Sequence, residues 1–324
     1  CLRLLFLGSK SLWLDEAWGL SVTKAGQKAL WAGTSENHHP PLFHLLQGYW
    51  IKLGESEFKL RLLSVIFGAA SVLLIYLLGK DLLGKEVALS GTWLSALSPL
   101  LIWYSQEARS YSLIIFMGLA ATVALVKLFL RPNLGWWLLF VTAMTATLYT
   151  HYAAFLLIPV QLMLLTSLLA KKQIRIPAVF FWLAAWIITI IAYWPWLHSP
   201  AASAFLDQLK IGSYPAQLFA NKFNINPSQL MNIFAVSTFF AVPVGLFLIY
   251  RLFKKNSNLW MKLRNKKWIQ SFLVSLFIIL LLASTIPRGY TLKKQLVILW
   301  PFVLLFFSWF WPWEQSYKKL LAPL

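Results

Sequence analysis

Acidic residues and cysteine are scarce in this sequence of 324 residues. It contains ten Asp and Glu against 29 Lys and Arg, and only one cysteine. A single cysteine excludes an internal disulfide framework and a metal cluster built on cysteine. A glycine-rich phosphate loop is also missing, which argues against an energy-coupled transporter and an enzyme that binds nucleotide sugars. The lack of a tandem repeat further weakens a transporter built from inverted halves.

Long hydrophobic runs are abundant, since 59% of the residues are hydrophobic. Runs of about 17 to 25 apolar residues match the ~30 Å hydrocarbon core of a bilayer, where helices satisfy every backbone polar group. We therefore predict an all-α polytopic transmembrane helical bundle, one integral membrane domain over residues 1–324 with its spans within 60–312. The nine predicted spans are 60–79, 87–104, 111–130, 134–150, 152–170, 176–197, 230–250, 268–286 and 295–312.

The residues before these spans are predicted to form a truncated helix followed by a surface loop. It begins with Cys1 rather than Met, and residues 2–7 are too short to span a membrane. We predict that most of a first transmembrane helix is missing; a cleaved signal peptide is the alternative. Residues 9–59 are expected to form an outer loop with two short amphipathic helices on the membrane surface, the second opened by Pro40-Pro41.

The distribution of Lys and Arg predicts the orientation. Alternate connections hold sixteen of the 29 basic residues, which places them in the cytoplasm by the positive-inside rule. The charge of +19 then reflects topology and attraction to anionic membrane lipids, and nucleic acid is not an expected partner. The basic connections are 80–86, 127–133, 171–175, 251–267 and the tail from 313.

The remaining connections then share the non-cytoplasmic face. They carry the acidic, histidine, arginine and tyrosine side chains, and such groups at membrane depth indicate a functional site. The lack of ionisable groups inside the spans argues against a transporter with its site at the bilayer midplane. These connections are 9–59, 104–111, 149–152, 198–229 and 287–290.

Five motifs in these regions resemble one family. They are Trp13-Leu14-Asp15-Glu16-Ala17, His39-Pro40-Pro41-Leu42, Phe58-Lys59-Leu60-Arg61-Leu62-Leu63-Ser64, Ser105-Gln106-Glu107-Ala108-Arg109-Ser110-Tyr111 and Thr150-His151-Tyr152. Over roughly residues 9–200 the chain resembles the bacterial membrane glycosyltransferases related to protein O-mannosyltransferases, in the GT-C superfamily. The resemblance implies a GT-C helical bundle.

The resemblance also implies an activity. Such enzymes take a sugar from a polyprenyl-phosphate carrier on the non-cytoplasmic face of the membrane and transfer it with inversion to an acceptor. We therefore expect a hexosyl- or pentosyltransferase, multi-pass in a bacterial plasma membrane, whose acceptor is a lipid, a glycan or a protein. A transporter or flippase of lipid-linked or small polar substrates is the alternative, and an inactive scaffold is a third interpretation.

The acidic pair is the predicted catalytic group. The family's proposed base falls on Asp15, and Glu16 matches the next position of the motif. Inverting transfer needs a carboxylate that accepts the proton of the incoming hydroxyl. The competing interpretations are an N-cap for Asp15 and a favourable helix-dipole position for Glu16.

The departing phosphate needs cationic stabilisation, for which Arg109 and Arg288 are the candidates. Arg109 could instead pair with Glu107, or both could cap the adjoining helices. Basic residues beside a last helix, such as Arg288, are also typical of headgroup anchoring.

The remaining substrate-site candidates are His39, Glu107, His151 and Tyr152. His151 could equally be a satisfied buried histidine, and His44 is expected at a wet membrane interface. A metal site needs three or more suitable ligands, which only separate loops could supply. We therefore predict neither a metal nor another cofactor.

Overall fold

The computed structural model describes residues 2–32, 39–170, 174, 176–203 and 296–310. The chain divides into two compact units, one of Cys1–Ala202 with Leu280–Leu324 and one of Ser203–Ile279. All the helices described below lie in the first unit. Arg288 and the predicted spans 230–250 and 268–286 lie outside the described residues.

The described residues form helices and no strand. The predicted all-α bundle is therefore confirmed for this part of the chain. Its α-helices are α1 (Leu14–Ala32), α2 (Leu42–Trp50), α3 (Glu57–Leu83), α4 (Lys85–Leu97), α5 (Pro99–Ser105), α6 (Tyr111–Leu130), α7 (Leu134–Thr150), α8 (Leu157–Ala170), α9 (Ile176–Leu197) and α10 (Trp300–Phe310). Short 3₁₀ helices occupy Leu2–Leu4, Ile51–Leu53, Tyr152–Leu156 and Leu296–Leu299.

Three of these helices, α3, α6 and α9, are long and apolar enough to cross a membrane. The pair α4 and α5 makes a fourth if the two count as one span. The protein is therefore a multi-pass membrane protein. The predicted total of nine spans stays a prediction.

The predicted span 87–104 is broken in the structure. Helices α4 and α5 meet at an angle of 56°. Pro99 opens α5 because it has no N–H to continue α4, and the Ser98 hydroxyl accepts a hydrogen bond from the Leu101 N–H at 3.4 Å. The Arg3 guanidinium donates to the carbonyls of Ser95 and Ala96, the last turn of α4, at 3.2 Å each. These hydrogen bonds satisfy the Ser95 and Ala96 carbonyls and the Leu101 N–H at the break.

Helix α6 is the centre of the bundle. In its most apolar window 72% is buried, against 28% in α9. It packs against α3 and α7, and α7 packs in turn against α9. Helices α3 and α6 begin at the same end of the bundle, where α5 and α7 terminate. At the opposite end Lys127 pairs with Asp81 at 2.9 Å.

Gly68 permits the close approach of α3 and α5. A Cβ atom added at Gly68 would lie 2.5 Å from the Ser105 Cβ and 3.4 Å from the Ser112 hydroxyl. A Cβ atom so close to the Ser105 Cβ cannot be accommodated unless α5 moves. Small residues at such contacts let the backbones of membrane helices approach.

We expect Gly68→Ala to destabilise the protein by about 1–3 kcal/mol, because overpacking must separate α3 from α5. Gly48→Ala in α2 is the control, since its Cβ would meet only the Thr23 methyl group at 3.7 Å. Alanine favours a helix over glycine by about 1 kcal/mol, so the control should be neutral or slightly stabilising. The apparent Tm in detergent measures both effects, and equal values for the two variants would contradict this packing account.

Candidate active site

The acidic motif lies in the first turn of α1. The Trp13 carbonyl accepts the first helical hydrogen bond, from the Ala17 N–H at 3.0 Å, so Trp13 is the N-cap residue. Asp15 is therefore inside the helix rather than at its N-cap. The Glu16 Oε2 atom accepts a hydrogen bond from the Trp13 N–H at 3.3 Å, which is the returning half of a capping box.

Glu16 also forms a buried ion pair with Arg61 of α3. The Arg61 Nη2 and Nε atoms lie 2.7 and 2.9 Å from the Glu16 Oε2 and Oε1 atoms, a bidentate arrangement. The side chains are 1% exposed for Glu16 and 8% for Arg61. The Ala108 N–H donates to the Glu16 Oε1 atom at 2.8 Å. Glu16 thus connects α1, α3 and the turn before α6.

Arg109 follows Ala108 in that turn and lies against the start of α1. Its Nη1 atom donates to the Asp15 carbonyl at 3.0 Å, and its own carbonyl accepts from the Ser64 hydroxyl at 3.1 Å. Gly19 leaves space for the guanidinium, since a Cβ there would lie 3.4 Å from Nη1. Asp15 and Arg109, which were predicted to have different roles in one reaction, are therefore neighbours.

Arg109 is half-buried and has no ion pair among the described residues. Its alternative partner, Glu107, accepts a hydrogen bond from the Trp103 indole N–H at 2.6 Å. The Arg109 cation is therefore not neutralised by a carboxylate in this part of the chain. A half-buried cation of this kind favours the binding of an anion.

A small cleft opens beside Arg109. Its volume is about 290 Å³, open solvent included. The N-terminus of α6 reaches the same cleft through Ser110, whose side chain forms no cap hydrogen bond. A helix N-terminus carries partial positive charge and orphan N–H groups, so it adds to the attraction for an anion. The lining residues are Gly19, His39, Phe43, His44, Ala108, Arg109, Ser110 and Thr150.

His39, His151 and Tyr152 form an aromatic group at this end of the bundle. The His39 and His151 rings stack with centroids 4.7 Å apart, and the Tyr152 ring lies 6.4 Å from His39. The His151 Nδ1 atom accepts a hydrogen bond from the Ala153 N–H at 3.0 Å and so caps the following 3₁₀ helix. Burial lowers the pKa of His151 well below its usual range, with His39 and Arg109 acting in the same direction. Its neutral ring therefore carries the proton on Nε2.

The expectation of a wet interface for His44 is wrong, because its side chain is buried. Its Nδ1 atom lies 3.0 Å from the Thr23 hydroxyl, which also lies 2.9 Å from the Gly19 carbonyl. If the single hydroxyl hydrogen goes to that carbonyl, the His44 Nδ1 atom is the donor and its Nε2 atom carries the lone pair. Burial, then the nearby Arg109 and His39, lower the pKa of His44 to about 3.

The spacing of His44 and Gln47 could have predicted this burial. Residues three apart lie on the same face of a helix, and the Gln47 side chain also contacts the Thr23 hydroxyl, at 2.8 Å. A shared polar face on an otherwise apolar helix indicates a buried partner in a neighbouring helix. Sequence reasoning considered each histidine separately and missed the pair.

Acidification from pH 7.5 to 5 should destabilise the protein, because His44 and His151 stay neutral when folded. In the unfolded chain each takes up a proton near pH 6.5, so stability is lost as the pH falls below that value. The loss reaches about 1.4 kcal/mol per pH unit for each histidine. The apparent Tm in detergent should show this slope.

His44→Asn should reduce the slope of Tm against pH, because one of the two titrating groups is removed. His198→Asn replaces an exposed histidine and should leave the slope unchanged. A slope in His44→Asn equal to that of the wild type would contradict the buried neutral histidine.

Among the described residues no group of three or more His, Cys, Asp or Glu is arranged to hold a metal ion. The described candidates Asp15, Glu16, His39, Glu107, Arg109, His151 and Tyr152 all lie at this one end of the bundle. Glu107 lies at its edge, bound to α5 through Trp103. Arg288 is not among the described residues.

Comparison with known proteins gives a family match. Residues 38–197 match the dolichyl-phosphate-mannose-protein mannosyltransferase family. The resemblance to membrane glycosyltransferases drawn from the motifs is therefore confirmed. The mannosyltransferase match includes Arg61, Arg109 and His151 and begins after the acidic pair, so the roles of Asp15 and Glu16 depend on the geometry above.

One solved structure is similar to almost the whole chain. It is the crystal structure of ArnT from Cupriavidus metallidurans in the apo state, with a TM-score of 0.48 and 11% identity. The similarity covers 95% of this chain and 72% of that chain. No curated protein matches. The match to the mannosyltransferase family supports, at the level of the family, the activity of a glycosyltransferase whose donor is a polyprenyl-phosphate sugar.

Proposed function

We propose that the protein transfers a hexose or pentose from a polyprenyl-phosphate carrier to a hydroxyl of a lipid, glycan or protein acceptor. The reaction inverts the anomeric centre and takes place on the non-cytoplasmic face of a bacterial plasma membrane. The observation that carries this proposal is the half-buried Arg109, which has no carboxylate partner in the described chain and lies against the backbone of Asp15.

The donor phosphate would bind at Arg109 and the N-terminus of α6. The guanidinium makes one hydrogen bond among the described residues, so further N–H groups are available to phosphate oxygens. Arg109 lies in the turn that leads into α6, a helix of 20 residues, so cation and helix dipole act on the same ligand. Arg288 remains a second candidate for this role.

Asp15 would act as the general base. The acceptor oxygen attacks the anomeric carbon as the bond from that carbon to the phosphate oxygen breaks, and polyprenyl phosphate leaves with the bonding electrons. Asp15 takes the proton of the acceptor hydroxyl. Arg109 stabilises the negative charge that grows on the phosphate. No general acid is required, because a phosphate is already a good leaving group.

The surroundings fit this division of roles. Burial lowers the pKa of His44 and of His151, so among the described residues that line the cleft Arg109 is the cation that would bind a phosphate. The isoprenoid tail would lie between helices or in the lipid beside them.

Transfer of radiolabelled sugar tests the proposal. Purified protein in lipid is mixed with membrane acceptors and a panel of polyprenyl-phosphate sugars, with a nucleotide sugar as the negative control. We expect label in a covalent product and release of polyprenyl phosphate. Label that crosses the membrane while still attached to its carrier would favour the flippase. Transfer from the nucleotide sugar alone would overturn the proposed donor.

A further inference from the structure

Glu16 is the point where three separate segments meet. Its two oxygens accept four hydrogen bonds, two from Arg61, one from the Ala108 N–H and one from the Trp13 N–H. Arg61 is 45 residues away and Ala108 is 92 residues away along the chain. A carboxylate with four donors around it is held in one orientation and has little capacity left to receive a substrate proton.

Arg61 is equally constrained. Besides its two bonds to Glu16, its Nη1 atom donates to the carbonyls of Leu7 and Lys10 at 2.8 and 2.9 Å. Its Nη2 atom donates to the Ser11 carbonyl at 3.1 Å. All five N–H groups of the guanidinium are therefore used. The pair fixes the segment that leads into α1 as well as α1 itself.

The two residues proposed for the reaction are direct neighbours of this pair. Asp15 precedes Glu16, and Arg109 follows Ala108, whose N–H binds the Glu16 carboxylate. The bond from Arg109 to the Asp15 carbonyl closes a ring of contacts through Glu16 and Ala108. A shift of the carboxylate would therefore move the base and the phosphate-binding cation relative to each other.

We infer that Glu16 is a positioning residue, held by Arg61, which sets the distance between Asp15 and Arg109. It acts through these two residues and does not itself take the acceptor proton. The inference rests on the proposed function for its kinetic consequence, while its structural consequence can be measured without any activity.

Glu16→Gln is the kinetic test. The amide nitrogen that replaces one oxygen is a donor and would face the Arg61 and Trp13 donors, so the ring of contacts opens. We expect kcat to fall by about 10²-fold, because a small misplacement of reacting groups typically has an effect of this size. The donor KM should rise as well, because Arg109 is also displaced. Glu55→Gln removes an exposed carboxylate paired with Lys24 and should leave the kinetics unchanged.

Azide distinguishes positioning from proton transfer. Azide attacks the anomeric carbon without losing a proton, so it replaces an acceptor whose base is missing. Asp15→Asn should regain transfer to azide, giving a glycosyl azide and polyprenyl phosphate. Glu16→Gln should not regain it, because Arg109 and the site remain displaced. Recovery of Glu16→Gln by azide, or wild-type kinetics in this variant, would overturn the inference.

A distance measurement separates this inference from the proposed function. Spin labels are placed at Ala17→Cys in α1 and Leu100→Cys in α5, both exposed positions, after Cys1→Ser removes the natural cysteine. We expect a narrow distance distribution with Glu16 present and a broader or shifted one with Glu16→Gln. An unchanged distribution would overturn the positioning role. A wild type that transfers no sugar would overturn the proposed function, and the distances would still decide the role of Glu16.

Discussion

Asp15→Asn should lower sugar transfer by about 10²–10⁴-fold, the contribution typical of a general base. Asparagine has the same shape as aspartate but cannot accept a proton at neutral pH. The substitution leaves the Asp15 carbonyl in place, so the hydrogen bond from Arg109 should remain. We therefore expect kcat to fall while the donor KM changes little, in assays with the donor that the wild type uses.

Asp81→Asn is the matched control for this prediction. Asp81 pairs with Lys127 at the opposite end of α3 from the site. The helical rise between Arg61 and Asp81 along α3 puts Asp81 about 30 Å from the site. Both variants remove one carboxylate, so membrane insertion and Tm can be compared directly. Transfer per folded molecule should be unchanged in Asp81→Asn. If the Asp15→Asn variant had the wild-type kcat, Asp15 would have no role in the mechanism.

Arg109→Ala should lower transfer by about 10²–10³-fold, the loss typical when one group that stabilises developing charge is removed. The donor KM should also rise, because the guanidinium binds the phosphate before the reaction as well as during it. Arg109→Lys should recover part of the loss, since lysine keeps the charge but not the planar pair of donors. Transfer rates across donor concentrations separate the two effects.

Arg131→Ala is the control for Arg109→Ala. Arg131 is exposed and follows the C-terminal end of α6, whereas Arg109 lies before its N-terminal end. Both variants lose one positive charge, so an effect of net charge on membrane association would appear in each. If Arg109→Ala lost only protein yield, with normal kinetics in the folded fraction, Arg109 would have a structural role alone.

The helices were predictable because apolar run length and breaking residues are local properties of a chain. The predicted spans 111–130, 134–150 and 176–197 have the same bounds as α6, α7 and α9. The apolar run 87–104 is long enough for one span, and we predicted it as unbroken from its length. It contains Ser98-Pro99, where the structure has the break between α4 and α5. Helix α3 is longer than its predicted span because the charged residues at both its ends continue the helix beyond the apolar run.

Motif content and the alternation of spans were also enough to predict that Asp15, His39, Arg109 and His151 lie at one end of a bundle. The partners of each side chain were not predictable in this way. Glu16 and Arg61 were both in recognised motifs, yet nothing local indicates that they bind each other across 45 residues. The same holds for the hydrogen bond from Arg109 to the Asp15 carbonyl.

The helices were predictable and the side-chain partners were not because the physical effects that decide them act over different ranges along the chain. Hydrophobicity and helix propensity act within a few turns, so composition and spacing decide which residues form helices and which end of a helix carries charge. Hydrogen bonds need donor and acceptor within about 3 Å, and only the packing of α1, α3 and the turn before α6 brings them so close. The residue types in the site thus follow from the sequence, while the difference between Asp15 and Glu16 comes from the folded structure alone.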